Sequence, residues 1–234
     1  MPRWEQGSEE RLTAAALQLF GEQGFENTSI VEIARRARVT NRTFFRYFSD
    51  KREVLFADAD DLRAALVEGV LRAPHTADPL RVVVLVLAQH DWEGLAPRPS
   101  LRERHAVIAA NPELLERDLI KQHVMAGEFA NALARRGVDE GVARIAARVG
   151  IQVFLTAYEQ WLDAAEGDGD LLAISDDLLS TLQAIMPADP ASVGDLAASI
   201  RLEPYVARPD HARAAPEVRR SRSTSGRAPG PAGP

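Results

Sequence analysis

The chain has 234 residues and a formal net charge of −6, and 46% of its residues are hydrophobic and 26% charged. This composition predicts a globular protein with a substantial core and excludes a fibrous or wholly disordered chain. The sequence contains no cysteine, which excludes a disulfide framework and any thiolate metal site. The first ten residues lack the apolar segment of a secretory signal, so we expect a cytoplasmic protein.

The charge is distributed unevenly along the chain. Residues 1–52 hold nine basic and seven acidic side chains, residues 53–200 hold twelve and twenty-four, and residues 201–234 hold seven and three. Within the first segment, residues 27–52 carry seven basic side chains and only two acidic ones. A small basic module joined to a larger acidic part is compatible with nucleic-acid binding by the module, although the whole chain is acidic.

Apolar residues recur at helical spacing almost throughout the chain, without a convincing strand pattern, so we predict an all-α fold. The first helix is predicted to start at Ser8, which precedes two acidic residues, and to stop at Gly24. A second helix starts at Thr28 or Ser29. Ser29 and Glu32 have the spacing of a capping box, in which each side chain bonds the other residue's backbone N–H.

Three residues, 38–40, separate the second helix from a short third helix. Thr40 can cap this third helix, in which Phe44 and Phe48 share one face. Two short helices joined by such a turn are typical of a helix-turn-helix, whose second helix enters the DNA major groove. With the two phenylalanines held inward, the residues predicted to face DNA or to flank it are Asn41, Arg42, Thr43, Phe45, Arg46 and Tyr47.

A fourth helix is predicted from Ser49 or Asp50 to Val70. Two later helices begin where a capping residue precedes a proline, at Asp78 and at Asn111. The other predicted helices cover residues 100–109, 139–166 and 170–186, and the helix from Asn111 runs to residue 137. Within the helix over 139–166, the residues expected to be buried are Ile145, Val149, Val153, Phe154, Ala157, Trp161 and Leu162.

The segment from Phe25 to Phe56, FENTSIVEIARRARVTNRTFFRYFSDKREVLF, resembles the TetR family of repressors. The resemblance implies that Lys51 binds a phosphate and makes Asn41 and Arg42 the expected base readers, because Asn pairs with adenine and Arg with guanine. The full set of residues expected to contact DNA is Thr28, Ser29, Arg38, Thr40, Asn41, Arg42, Thr43, Phe45, Arg46, Tyr47 and Lys51.

Two positions depart from the family pattern. Phe45 stands where tyrosine is usual, so a hydroxyl bond to phosphate is missing and only apolar contact with DNA remains. Arg38 stands in the turn where glycine is common. If this position has left-handed backbone, a residue other than glycine costs about 1–2 kcal/mol there.

The pattern and the resemblance together predict two domains and a tail. Residues 1–52 form a three-helix, homeodomain-like helix-turn-helix domain, and residues 53–187 form a helical ligand-binding and dimerisation domain. Residues 188–234, rich in Pro, Ala, Gly, Ser and Arg, form a disordered tail, with a short helix over 192–202 as an alternative. By resemblance, the last two helices pair with their twofold copies, so that two recognition helices read a palindromic operator.

The family also implies a small-molecule effector that releases the repressor from DNA. The residues expected to line its pocket, each with plain core packing as the alternative, are Trp92, His105, His123, Phe129, Phe154 and Tyr158. Arg102 and Arg104 are candidates for binding an anionic ligand, with a solvated helix face as the alternative. Relatives with similar recognition helices include regulators of acyl-CoA response, so a lipophilic or acyl-CoA-like effector is an expectation from the resemblance.

The competing hypothesis is a helical ligand-binding protein or an enzyme with an incidental helix-turn-helix. The sequence lacks the G-x-S-x-G, H-E-x-x-H and phosphate-loop motifs of common enzymes. Its histidines are scattered singly, and its most apolar run is too short to cross a bilayer. We therefore predict no catalytic residues, no cofactor, no metal site and no membrane partner.

Overall fold

The computed structural model describes residues 6–57, 59–75, 77–165 and 169–186. Its elements in chain order are α1 (Gln6–Gln23), α2 (Ile30–Arg36), α3 (Asn41–Tyr47), a 3₁₀ turn (Glu53–Phe56), α4 (Ala59–Arg72), α5 (Pro79–Ala88), α6 (Trp92–Leu95), α7 (Arg98–Ala110), α8 (Pro112–Arg135), α9 (Glu140–Asp163) and α10 (Leu171–Ile185). Over these ranges there is no strand, and the predicted all-α class is confirmed. None of the helices in this part of the chain has the length and apolar character needed to span a membrane.

The first three helices form where the capping residues of the sequence place them. Ser29 accepts a bond from the backbone N–H of Glu32, and the Glu32 carboxylate accepts one from the backbone N–H of Ser29, which confirms the capping box. Thr40 accepts a bond from the backbone N–H of Thr43 and caps α3. Gly24 ends the first helical segment with a φ of 86°, a left-handed conformation that glycine adopts without strain.

A first hydrophobic core holds α1, α2 and α3 together. Its fully buried side chains include Leu12, Ile33 and Phe44, and Ile108 of α7 and Leu114 of α8 pack into the same cluster. The three apolar residues of the 3₁₀ turn, 54–56, also lie in this core. The predicted domain boundary after residue 52 stays a prediction, and the chain directly after it packs with the helices before it.

The predicted fourth helix is interrupted, so a single helix from Ser49 or Asp50 is wrong. The Asp50 carboxylate accepts bonds from the backbone N–H groups of Arg52 and Glu53, which starts the 3₁₀ turn instead. The three consecutive apolar side chains of this turn, 54–56, are all buried. The helix α4 then begins separately at Ala59.

Two further features of the helices differ from the sequence prediction. The first helix is already formed at Gln6, so Ser8 lies within it, where its hydroxyl accepts a bond from Arg11. The short helix α6 was not expected from the sequence, and the Asp91 carboxylate caps it by accepting from the backbone N–H of Gly94. The predicted tail over residues 188–234, including the alternative helix over 192–202, lies outside the described residues.

A second hydrophobic core joins α4, α5, α8, α9 and α10. Its central side chains include Val70, Val83, Phe129 and Leu162, all of which are buried. Helix α9 packs against α5, α8 and α10 and contributes Phe154, Tyr158 and Trp161 to this core. The expectation that Ile145 is buried is wrong, because this side chain is 66% exposed at the start of α9.

Candidate DNA-binding surface and ligand cavity

The recognition helix α3 has one buried face and one exposed face. Phe44 and Phe48 are 0% and 4% exposed, and their ring centroids lie 5.4 Å apart. The exposed side chains of the opposite face occupy successive helical positions i, i+1, i+4 and i+5, and they are Asn41, Arg42, Phe45 and Arg46. Thr43 and Tyr47 flank this face and are partly buried. Three of the four exposed residues can hydrogen bond to base edges or phosphates.

The turn before α3 has left-handed backbone at Arg38. Its φ is 55°, and no other non-glycine residue among those described has a positive φ. The turn is closed by a bond from the backbone N–H of Val39 to the carbonyl of Ala34 at 2.9 Å. Arg38 is exposed, and its side chain makes no hydrogen bond or ion pair with the described residues. The backbone strain expected for a non-glycine residue in a left-handed conformation is therefore present at Arg38.

Several basic residues of this module are held by neighbouring groups. Arg36 makes a bidentate pair with Glu22 at 2.8 and 2.7 Å. This pairing lowers the pKa of Glu22, chiefly through its hydrogen bond to Arg36. Arg52 donates two bonds to a single carboxylate oxygen of Asp50, whose pKa is lowered chiefly by this hydrogen bonding. Among the described residues, Arg42 has no such partner, so its guanidinium is available to an incoming ligand.

Lys51, the expected phosphate ligand, is partly buried beside Phe25. Its ammonium group donates to the carbonyl of Phe25 at 2.6 Å and lies 4.0 Å from the centroid of the Phe25 ring. An ammonium group has three donors, so two remain for a phosphate. The phosphate role of Lys51 stays a prediction, and the contact with Phe25 fixes the position from which it would act.

Several other residues expected to contact DNA make hydrogen bonds within the chain. Thr28 is 3% exposed and its hydroxyl donates to the carbonyl of Gly24 at 2.8 Å, so its side chain does not lie on the surface. Ser29 is exposed, although its hydroxyl donates to Glu32 at 2.7 Å. Tyr47 accepts a bond from Arg46 at 2.9 Å, which ties two of the expected contacts together.

A cavity of about 530 Å³ lies between the 3₁₀ turn and helices α4, α7, α8 and α9. Four of the six expected pocket residues line it, and they are Trp92, His105, Phe154 and Tyr158. The other two expected residues do not line it: Phe129 is 0% exposed in the core, and His123 lies in a shallow apolar groove along α8. Helical spacing does not show which face of α8 meets the cavity, so it does not predict where these two side chains lie.

The aromatic side chains of the cavity form one wall. The rings of Trp92 and Phe154 are stacked with centroids 5.4 Å apart, and Tyr158 lies 5.3 Å from Trp92. The indole N–H of Trp92 donates to the carbonyl of Leu87 at 2.8 Å and fixes the ring. Burial raises the pKa of Tyr158 to about 12, so its hydroxyl is protonated at neutral pH and can donate a hydrogen bond.

Two side chains that the pocket expectation missed connect the cavity with the first core. Phe56 of the 3₁₀ turn and Ile108 of α7 both line the cavity and both belong to the core of α1–α3. Arg104 also lines the cavity, and its Nε donates to the carbonyl of Leu55 at 2.7 Å. The charge of Arg104 was visible in the sequence, but the direction in which it points was not.

Comparison with known proteins identifies the family of this surface. The model of a family described as bacterial regulatory proteins, tetR family, matches residues 12–57, which contain α2, the turn and α3. Over these residues the chain is similar to the tetR family. The predicted resemblance is therefore confirmed, and the exposed face of α3 lies within the matched segment.

Similar regulators extend the likeness beyond the first helices. MftR of Mycobacterium tuberculosis is 29% identical over 157 residues, which cover 64% of this chain and 78% of that protein. TcmR of Streptomyces glaucescens is 30% identical over 138 residues, which cover 56% of this chain and 61% of TcmR. Among solved structures, NalD, the secondary repressor of the MexAB-OprM multidrug efflux pump of Pseudomonas aeruginosa, has a TM-score of 0.53 at 20% identity. That match covers 77% of this chain and 96% of NalD and supports the all-α fold.

Proposed function

We propose that this TetR-family regulator is a homodimeric, cytoplasmic repressor that a small molecule releases from a palindromic operator. The observation that carries the proposal is the exposed face of α3, where Asn41 and Arg42 point away from the phenylalanine pair that holds the helix. A single short helix contacts few base pairs, whereas two copies held one turn of DNA apart contact enough for useful specificity.

An exposed apolar surface on α9 and α10 supports the dimer. Val142 and Ile145 are 50% and 66% exposed on α9, and Ile185 and Met186 are 71% and 65% exposed at the end of α10. The two helices pack against each other within the chain. Large apolar side chains that remain exposed on adjoining helices are typical of an interface, and a second copy would cover them.

Shared side chains support the release mechanism. Phe56 and Ile108 line the cavity while packing in the core that holds α3. A ligand that displaces either side chain therefore also shifts the packing beneath the recognition helix. Because a dimer must present both helices to successive grooves, a small shift in each subunit is enough to favour the unbound state.

DNA binding tests the proposal against the alternative of a helical ligand-binding protein or enzyme. A labelled duplex from upstream of the protein's own gene is titrated at several salt concentrations, with a scrambled duplex of the same length beside it. We expect tighter binding to the upstream duplex and a steep loss of affinity with salt, because phosphate contacts release counterions. Absence of binding even at low salt would favour the alternative.

Arg42→Ala tests the reading face itself. Loss of a bidentate contact to guanine should reduce the preference for the upstream duplex by about tenfold or more, with a smaller effect on the scrambled duplex. The matched control is Arg135→Ala, which removes an exposed arginine at the end of α8. Equal preferences in Arg42→Ala and in the unaltered protein would remove Arg42 from the base readers.

A further inference from the structure

The cations that line the cavity differ in whether a carboxylate neutralises them. Arg63 pairs with Asp60 at 3.2 Å and with Glu128 at 3.1 Å. Lys121 lies 3.7 Å from Glu53, a carboxylate that Arg117 also contacts, and the His105 ring lies 3.7 Å from Glu159. Each of these three side chains therefore has a carboxylate within ion-pair distance.

Arg104 is the exception among the cations that line this cavity. No described carboxylate lies within 4.0 Å of its guanidinium; Asp118 interacts with its charge from further away and accepts a bond from Gln122. The Nε atom donates to the carbonyl of Leu55, and the two terminal nitrogens have no hydrogen-bond partner among the described residues. Burial lowers the pKa of Arg104, although an arginine remains protonated. Arg104 is partly buried, and a partly buried guanidinium whose terminal nitrogens lack a protein partner favours an anion that binds them.

The two arginines that the sequence offered as anion ligands have different roles. Arg102 donates to the carbonyls of Leu162 and Ala164, so it caps the end of α9. Arg104 lies two residues further along α7, on the side that faces the cavity. Only Arg104 of this pair lines the cavity, which leaves Arg102 as a matched control.

The wall beside Arg104 supplies apolar contact and one further donor. Trp92 and Phe154 stack to give an aromatic surface, and Tyr158 lines the same cavity as Arg104. Within the described part of the chain, the Tyr158 hydroxyl has no hydrogen-bond partner. It can therefore donate to an oxygen atom that Arg104 also binds.

We propose that the cavity binds an aromatic carboxylate, whose anionic group pairs with Arg104 and whose rings pack on Trp92 and Phe154. This inference rests on the proposed role of the cavity as the effector site, but it concerns the chemistry of the ligand. A planar guanidinium with two free terminal nitrogens matches the two oxygens of a carboxylate. The stacked rings favour a flat, apolar body over a flexible or highly hydrated one.

Calorimetric titration of the DNA-free protein with two probes tests the inference. The probes are 2-naphthoate, which is ionised at neutral pH, and 2-naphthamide, which has the same ring and no charge. We expect 2-naphthoate to bind the unaltered protein at least ten times more tightly, because a charge-assisted bond to Arg104 is made only by the anion. Arg104→Gln should abolish this difference while leaving the affinity for 2-naphthamide within about twofold. Arg102→Gln should retain the difference.

Further outcomes decide the inference independently of DNA binding. Equal affinity of the unaltered protein for both probes, or binding of neither, would overturn it without using any variant. A difference that survives in Arg104→Gln would also overturn it. If Arg104→Gln does not fold, Arg104→Lys keeps the charge and loses the planar fork, and the expected difference between probes falls severalfold. Failure of the upstream duplex to bind would contradict the proposed function and leave these affinities unaffected.

Discussion

Arg38 combines a strained backbone with an exposed positive charge. Its φ of 55° brings Cβ close to the following carbonyl oxygen, an arrangement that disfavours every residue except glycine. The side chain is exposed beside α3 and has no partner among the described residues. A glycine would relieve the strain and at the same time remove a cation from the side that we propose faces DNA. Stability and DNA affinity are therefore expected to change in opposite directions at this position.

We expect Arg38→Gly to raise the free energy of unfolding by about 1 kcal/mol, measured by urea denaturation of the full chain. The same variant should bind the upstream duplex more weakly, with a salt dependence reduced by about one phosphate contact. The control is Arg35→Gly, which places glycine in α2 and should lower stability. If both glycine variants were less stable than the unaltered protein, backbone strain at Arg38 would not explain the result.

The N-terminal cap of α3 is expected to contribute measurably to the free energy of unfolding. Helix α3 has only seven residues, so its first turn contributes a large part of its hydrogen bonding. Thr40→Ala removes the oxygen that accepts from the backbone N–H of Thr43 and should lower the free energy of unfolding by about 1 kcal/mol. Thr40→Ser keeps that oxygen and should unfold close to the unaltered protein. Similar losses in both variants would show that the methyl group, and not the cap, is responsible.

The helix-turn-helix was predictable because its determinants are local. Ser29, Thr40 and Gly24 act on backbone atoms within four residues of themselves, and each acts in the structure as its sequence position indicates. The interruption after Phe56 was not predictable in this way. Apolar periodicity runs through residues 54–70, but the first three of these side chains pack in one core and Leu66 and Val70 pack in another. Periodicity shows which face of a helix is apolar, but it does not show which core each side chain joins.

The residues of the ligand cavity could be predicted only in part from the sequence, because the lining of the cavity depends on the tertiary structure. Trp92, Phe154 and Tyr158 were recognisable as large aromatic residues, and they do form one wall of the cavity. Which cations of the cavity lie beside a carboxylate depends on distant parts of the chain, since Arg63 pairs with Glu128 and Lys121 with Glu53. Such a balance of charges is a property of the tertiary structure and has no signature in local spacing.

The exposed position of Ile145 makes the dimer testable without disturbing the fold of one subunit. A buried isoleucine would destabilise the chain when replaced by glutamate, but a side chain that is 66% exposed can accept the charge in water. In the proposed interface that charge is buried without a partner, so Ile145→Glu should elute as a monomer in light-scattering chromatography. Its affinity for the upstream duplex should fall by about 100-fold or more, because one recognition helix then binds alone. Ile120→Glu introduces the same charge at a 48% exposed position on α8 and should remain dimeric. A dimeric Ile145→Glu protein, or a monomeric Ile120→Glu protein, would contradict an interface formed by α9 and α10.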